Sequence, residues 1–156
     1  MTITDVVDRL SPVARSTGVA ALDERLASVG WHEKGPVPGG SRRTWAFGAV
    51  SGTQYSSSDR MSFMEVTVDI RDPESADPED EGPFYEEFER KFHSAVTEAA
   101  EILGPPSFVA TYGDQDFPDD MDAVMVAGWR DGGSGLFICF KHEDSGVPFR
   151  ITAVVT

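Results

Sequence analysis

Cysteine is nearly absent. Cys139 is the only one in 156 residues, which excludes an intrachain disulfide and leaves a thiolate zinc cage without enough ligands. No run approaches the roughly 18 consecutive apolar residues of a membrane span. The opening Met1-Thr-Ile-Thr-Asp-Val-Val-Asp8 also lacks the basic-then-apolar order of a secretory signal, so the expected location is the cytoplasm. Positive charge is scarce as well: 13 Lys and Arg stand against 27 Asp and Glu, a formal net charge of -14. Phosphate backbones and anionic membranes need a concentrated cationic surface, so neither nucleic acid nor membrane is expected as a direct partner.

What is present suffices for a core. With 40% hydrophobic and 10% aromatic residues over 156 positions, the chain is expected to form a single domain, residues 1–156. Between Ser16 and Gly30, Val19, Leu22, Leu26 and Val29 recur at helical spacing, with Thr17 as cap and Gly30 as stop. A short helix is expected over Thr4 to Leu10, turning Val6, Val7 and Leu10 inward and ending at Ser11-Pro12. A longer one is expected from Pro83 to Leu103, where Phe84, Phe88, Phe92, Ala95, Ala99 and Ile102 form one apolar stripe before Gly104-Pro-Pro106.

Two-residue alternation predicts strands over Arg43 to Val50 and Phe63 to Arg71, joined by the polar hairpin loop Ser51 to Asp59. A meander follows over Ala123 to Arg130, Leu136 to His142 and Pro148 to Val155, with a further short strand over Ser107 to Tyr112, whereas Gly35 to Gly40 reads as loop. The expected class is α+β: an antiparallel sheet of five to six strands with two main helices on one face. The two halves share a helix-then-strands order without a matching residue pattern, so no internal repeat is expected.

The negative charge is segregated. Asp72 to Glu89 holds nine acids and Gly113 to Asp122 five, with no Lys or Arg in either, and the remainder is balanced at thirteen of each sign. Such segments serve either as a solvated surface or, beside Phe84, Tyr85, Tyr112 and Phe117, as a surface that attracts a basic protein and anchors it with aromatics. The candidate partner-binding residues are Asp77, Glu79, Asp80, Glu81, Tyr85, Tyr112, Asp114, Asp116, Phe117, Asp119 and Asp120.

Motifs for chemistry are missing. An EF-hand reading from Asp114 fails at Pro118, Asp119 and Met125, where an oxygen ligand, a glycine and a glutamate are required. His32, His93 and His142 have no ligand spacing, and Gly132-Gly-Ser-Gly135 opens no helix as a phosphate loop would. Cys139, within Leu136-Phe-Ile-Cys-Phe140, reads as a buried inert hydrophobe. Glu65 and Asp69 share one face of their predicted strand, either as an acid/base pair lining a cleft or as an ordinary solvent-facing side. No catalytic residue, metal or cofactor is assigned, and the chain is not expected to be an enzyme.

Four stretches together, Leu26-Ala-Ser-Val-Gly-Trp31, Trp45-Ala-Phe47, Phe92 to Pro106 and Gly128-Trp-Arg130, resemble small actinobacterial proteins encoded near polymorphic secreted toxins. That resemblance implies an immunity-type role: neutralising a basic toxin domain, such as a nuclease, through the acidic loops. The order of helix and sheet is also similar to secretion-chaperone-like domains, which implies the alternative of an adaptor, monomeric or homodimeric, that binds a secreted partner through its sheet or a helical groove.

Overall fold

A computed structural model describes residues 1–16, 20–36, 42–56, 61–131 and 134–156. The elements run α1 (Ile3–Arg15), α2 (Leu22–Ser28), β1 (His32–Pro36), β2 (Arg42–Phe47), β3 (Val50–Tyr55) and β4 (Phe63–Arg71), then α3 (Gly82–Leu103), β5 (Phe108–Thr111), β6 (Met125–Asp131), β7 (Ser134–Lys141) and β8 (Phe149–Val155). The class is α+β, but the sheet is larger than expected: among the described residues it has eight antiparallel strands in the order β1-β2-β3-β4-β8-β7-β6-β5. Both additional strands are polar. Edge strand β1 is His-Glu-Lys-Gly-Pro, and β3 occupies most of the segment expected to be a hairpin loop. Two neighbours hold β3 in place: Gln54 accepts from Trp45 Nε1 at 2.8 Å, and Gly52 lies so close to β4 that a Cβ there would stand 2.9 Å from Val66 Cγ2.

The helices are redistributed as well. α1 continues through Pro12 to Arg15, beyond the stop expected at Ser11-Pro12. The amide that Pro12 lacks would have bonded the carbonyl of Asp8; both residues are exposed, so water can serve that carbonyl while Val6, Val7, Leu10 and Val13 stay buried. The second expected helix shrinks to α2, with Ala21 at its N-cap position and no side-chain cap, and with the expected cap Thr17 and Val19 outside the described residues. So are 37–40 of the expected Gly35–Gly40 loop, Ser57 to Asp59 of the hairpin loop, and Gly132 and Gly133. The two principal helices are therefore α1 and α3, which pack on each other and across β7 and β8. α3 matches its expected span to within one residue, with Phe88, Phe92, Ala95 and Ala99 buried.

The strand order reads as two meanders, β1–β4 and β5–β8, meeting at β4 and β8. Each follows a helix and a glycine at positive φ, Gly30 at 102° and Gly104 at 81°. Each contains a tryptophan two residues before the last pair its strand makes with the next: Trp45 opposite Gly52 ahead of Phe47↔Val50, and Trp129 opposite Leu136 ahead of Asp131↔Ser134. The halves are thus alike in topology although their sequences diverge. The β5–β6 connection is the longer one, and it contains the second acidic segment.

The helix-side core spans both halves and includes Trp31, Trp45, Met64, Phe88, Phe92, Ile138, Phe140 and Phe149. A smaller apolar cluster lies apart from it, formed by Ala110, Val126, Phe137, Cys139 and Val154. Phe117, Met121 and Ala123 of the β5–β6 loop pack against this cluster.

Candidate functional site

The pairing registers place both acidic segments at one end of the sheet. Arg71 ends β4 opposite Phe149, Lys141 ends β7 opposite Arg150, and Thr111 ends β5 opposite Met125. The chain therefore leaves β4 into the first acidic segment and β5 into the second at the same end. Tyr85 at the start of α3 and Tyr112 after β5 line one groove of about 510 Å³, together with Thr111, Asp122, His142 and Glu143. Tyr112 is 78% exposed and meets Phe117 edge-on at 5.7 Å, while Tyr85 sits edge-on to Phe140 at 5.1 Å. Burial, and then the nearby Glu89, pushes the Tyr85 phenol upward.

The candidate residues divide by exposure. Asp77, Glu79, Asp80, Asp114, Asp116, Asp119 and Asp120 are exposed. Asp77 also caps the short 3-10 turn Pro78–Asp80 by accepting from the Glu79 N–H, and Asp114 accepts from the Thr111 N–H. Phe117 is half-buried against the smaller cluster. Glu81, expected on the contact surface, is turned inward: 7% exposed, it lies 3.0 Å from His142 Nε2 and accepts from the Gly146 N–H at 2.8 Å. The His142 ring in turn stacks on Phe149 at 3.9 Å, so Glu81 ties the start of α3 to the β7–β8 connection.

Of the polar floor on the face away from the helices, the sequence reading offers only Glu65, as one of two carboxylates that could line a cleft, and not its basic partners. Glu65 of β4 is 7% exposed, and its two oxygens accept from Lys141 Nζ at 2.5 Å and from Arg150 at 2.7 Å. Arg150 also donates to Glu143. Burial opposes the charge on Arg150, but the carboxylates of Glu65 and Glu143 outweigh it and hold the guanidinium above its ordinary value. Asp69 does not share this face with Glu65. The pairing shifts between Thr67 and Asp69, inserting Val68 as an extra residue, so Asp69 lies opposite the core residue Ile151 and bonds Lys91 of α3 at 2.8 Å. The same slip leaves Ile70 55% exposed, although alternation had placed it with Met64 and Val66. The available sequence signal was Lys141 and Arg150 at the ends of two otherwise apolar strands.

Above this floor lies a cavity of about 240 Å³, bordered by Tyr55, Phe63, Met121 and Cys139 as well as by the ionic residues. Burial pushes the Cys139 thiol up to about 12, so it is expected to resist iodoacetamide in the native state and to react only on unfolding. The folded pKa lies above the unfolded value of about 8.5, so stability relative to Cys139→Ala should fall by about 1.4 kcal/mol per pH unit between the two. Urea titrations of both proteins across pH 8 to 10 check this; parallel pH profiles would contradict it.

Among the described residues no helix is long and apolar enough to cross a membrane, and no group of three or more His, Cys, Asp or Glu is placed to hold a metal ion. Comparison of the chain with protein-family models, curated proteins and solved structures yields no match.

Proposed function

We propose that the chain is a protein-binding module that captures a basic partner at its acidic end, as an immunity protein does when it covers the cleft of a cationic toxin domain. The observation that carries this reading is convergence. Two acidic segments, one running from β4 into the first turns of α3 and the other following β5, leave the same end of one sheet, and two exposed tyrosines line the groove there. Concentrated charge of one sign steers a partner of the opposite sign, and tyrosines supply short-range energy at low entropic cost. The adaptor alternative has less to stand on, because the apolar part of the open sheet face is packed by the chain's own Phe117 and Met121.

The test neutralises Asp77, Glu79, Asp80, Asp114, Asp116 and Asp119 to their amides together. Glu81 is left intact because its carboxylate is used inside the fold. Association with the product of the adjacent gene is then measured by stopped flow across a salt series. The expected result is an association rate lowered about 10-fold or more, with a shallower dependence on salt. Wild-type association by the neutralised protein, with its salt dependence retained, would overturn the reading.

A further inference from the structure

We propose that the cavity on the open face is a socket for one basic side chain, an arginine or a lysine, delivered by the partner. The source of that side chain rests on the function proposed above, whereas the socket stands on residues outside the six neutralised in its test. Among the described residues, four carboxylates border the cavity, Glu65, Asp120, Asp122 and Glu143, against two bases, Lys141 and Arg150. Both bases are already engaged: Lys141 donates to Glu65, and Arg150 spans Glu65 and Glu143. The surplus negative charge therefore falls on Asp120 and Asp122, both exposed. An anionic ligand would add to this surplus and would have to displace Glu65 or Glu143 from its base. A cation meets the opposite balance.

The walls narrow the class of cation. Met61, Phe63, Met121 and Val154 are apolar and border the same space, and Phe63 is held by stacking on Tyr55 at 5.1 Å. Arginine and lysine combine an apolar stem with a charged head, which matches such a lining better than a hydrated metal ion does. A volume of about 240 Å³ has room for one long side chain rather than for a helix or strand. The approach is provided too, because Asp122 and Glu143 border both this cavity and the groove between Tyr85 and Tyr112. A partner segment seated in the groove can send a side chain across that shared boundary, where the surplus carboxylates receive its head and the methionines cover its stem.

The probe is N-acetyl-arginine amide, with N-acetyl-citrulline amide as its neutral isostere, titrated into the full chain carrying nitrogen-15 and methionine methyl carbon-13 labels. Saturable shifts are expected at the Met61 and Met121 methyls and the Asp120 and Asp122 amides. Citrulline should bind at least about fivefold more weakly, and D120N/D122N should weaken arginine by a similar factor, the effect of two partly exposed charge contacts. Equal response to the two probes, shifts that map elsewhere, or no saturating response overturns the socket. If the probe fails while neutralising the six acids still slows partner association, the socket falls and the protein-binding reading stands. If the probe binds while those neutralisations change nothing, the socket stands as a site for a basic side chain and the acidic-end reading falls.

Discussion

Glu65→Ala is expected to cost about 3–5 kcal/mol of folding stability, seen as a lowered urea midpoint with an unchanged denaturant slope. The size follows from what is stranded. Lys141 is 9% exposed and donates to Glu65, while Arg150 retains Glu143 as a second carboxylate. Removing Glu65 leaves the mostly buried ammonium at the cavity floor beside Cys139 and Thr152 without the carboxylate it donates to. The double variant Glu65→Leu with Lys141→Met removes both charges and should recover most of the loss, because the penalty comes from the unpaired ion rather than from a missing attraction. A single-variant loss below about 1 kcal/mol would mean that water reaches the floor freely. Replacing a buried ion pair with apolar residues is often neutral or stabilising, so the network is better explained as a preformed polar floor for the cavity than as a support for the sheet.

The sequence made some of this visible, and the boundaries are physical. α3 was legible because Phe84, Phe88, Phe92, Ala95, Ala99 and Ile102 repeat at the helical period and Gly104-Pro-Pro106 cannot continue it. β4 was legible in extent, Phe63–Arg71, but not in facing: one inserted residue at Val68 reverses the alternation beyond it and sends Asp69 to the helix side. β1 and β3 carried almost no apolar signal because neighbouring strands order them, and Gln54 takes a buried position by pairing with Trp45. The continuation of α1 past Pro12 depended on which side of the helix lost its hydrogen bond, and only the packing of α1 decides that. The segregation of acids could be counted along the chain. Their meeting at one end required the β4–β8–β7–β6–β5 registers, and the ionic floor required two strands that are remote in sequence to lie side by side.

Phe88→Ala is expected to cost about 3–5 kcal/mol, and it connects the core to the proposed interface. Phe88 is fully buried, with ring centroids 6.2 Å from Phe140 and 5.8 Å from Phe149, so it clamps α3 to β7 and β8. The neighbouring Phe84 rests on Phe149 at 6.0 Å, and Glu81 is tied to His142 and Gly146, so the first turns of α3 are fixed against the end of the sheet where Tyr112 emerges. Truncating Phe88 opens a cavity beneath that clamp, and neighbouring aromatic rings cannot collapse to fill it. Tyr85 lies one turn earlier and is 37% exposed, so Tyr85→Ala should cost no more than about 1 kcal/mol of stability while weakening partner binding by about 2 kcal/mol if it is an anchor. Chemical denaturation and equilibrium titration of both variants separate these roles. A Tyr85→Ala protein that binds like wild type would remove the aromatic anchor and leave charge alone to account for capture. A Phe88→Ala loss below about 2 kcal/mol would show that α3 is held mainly through α1, and the position of the acidic entrance would then depend on the Glu81 contacts instead of the ring cluster.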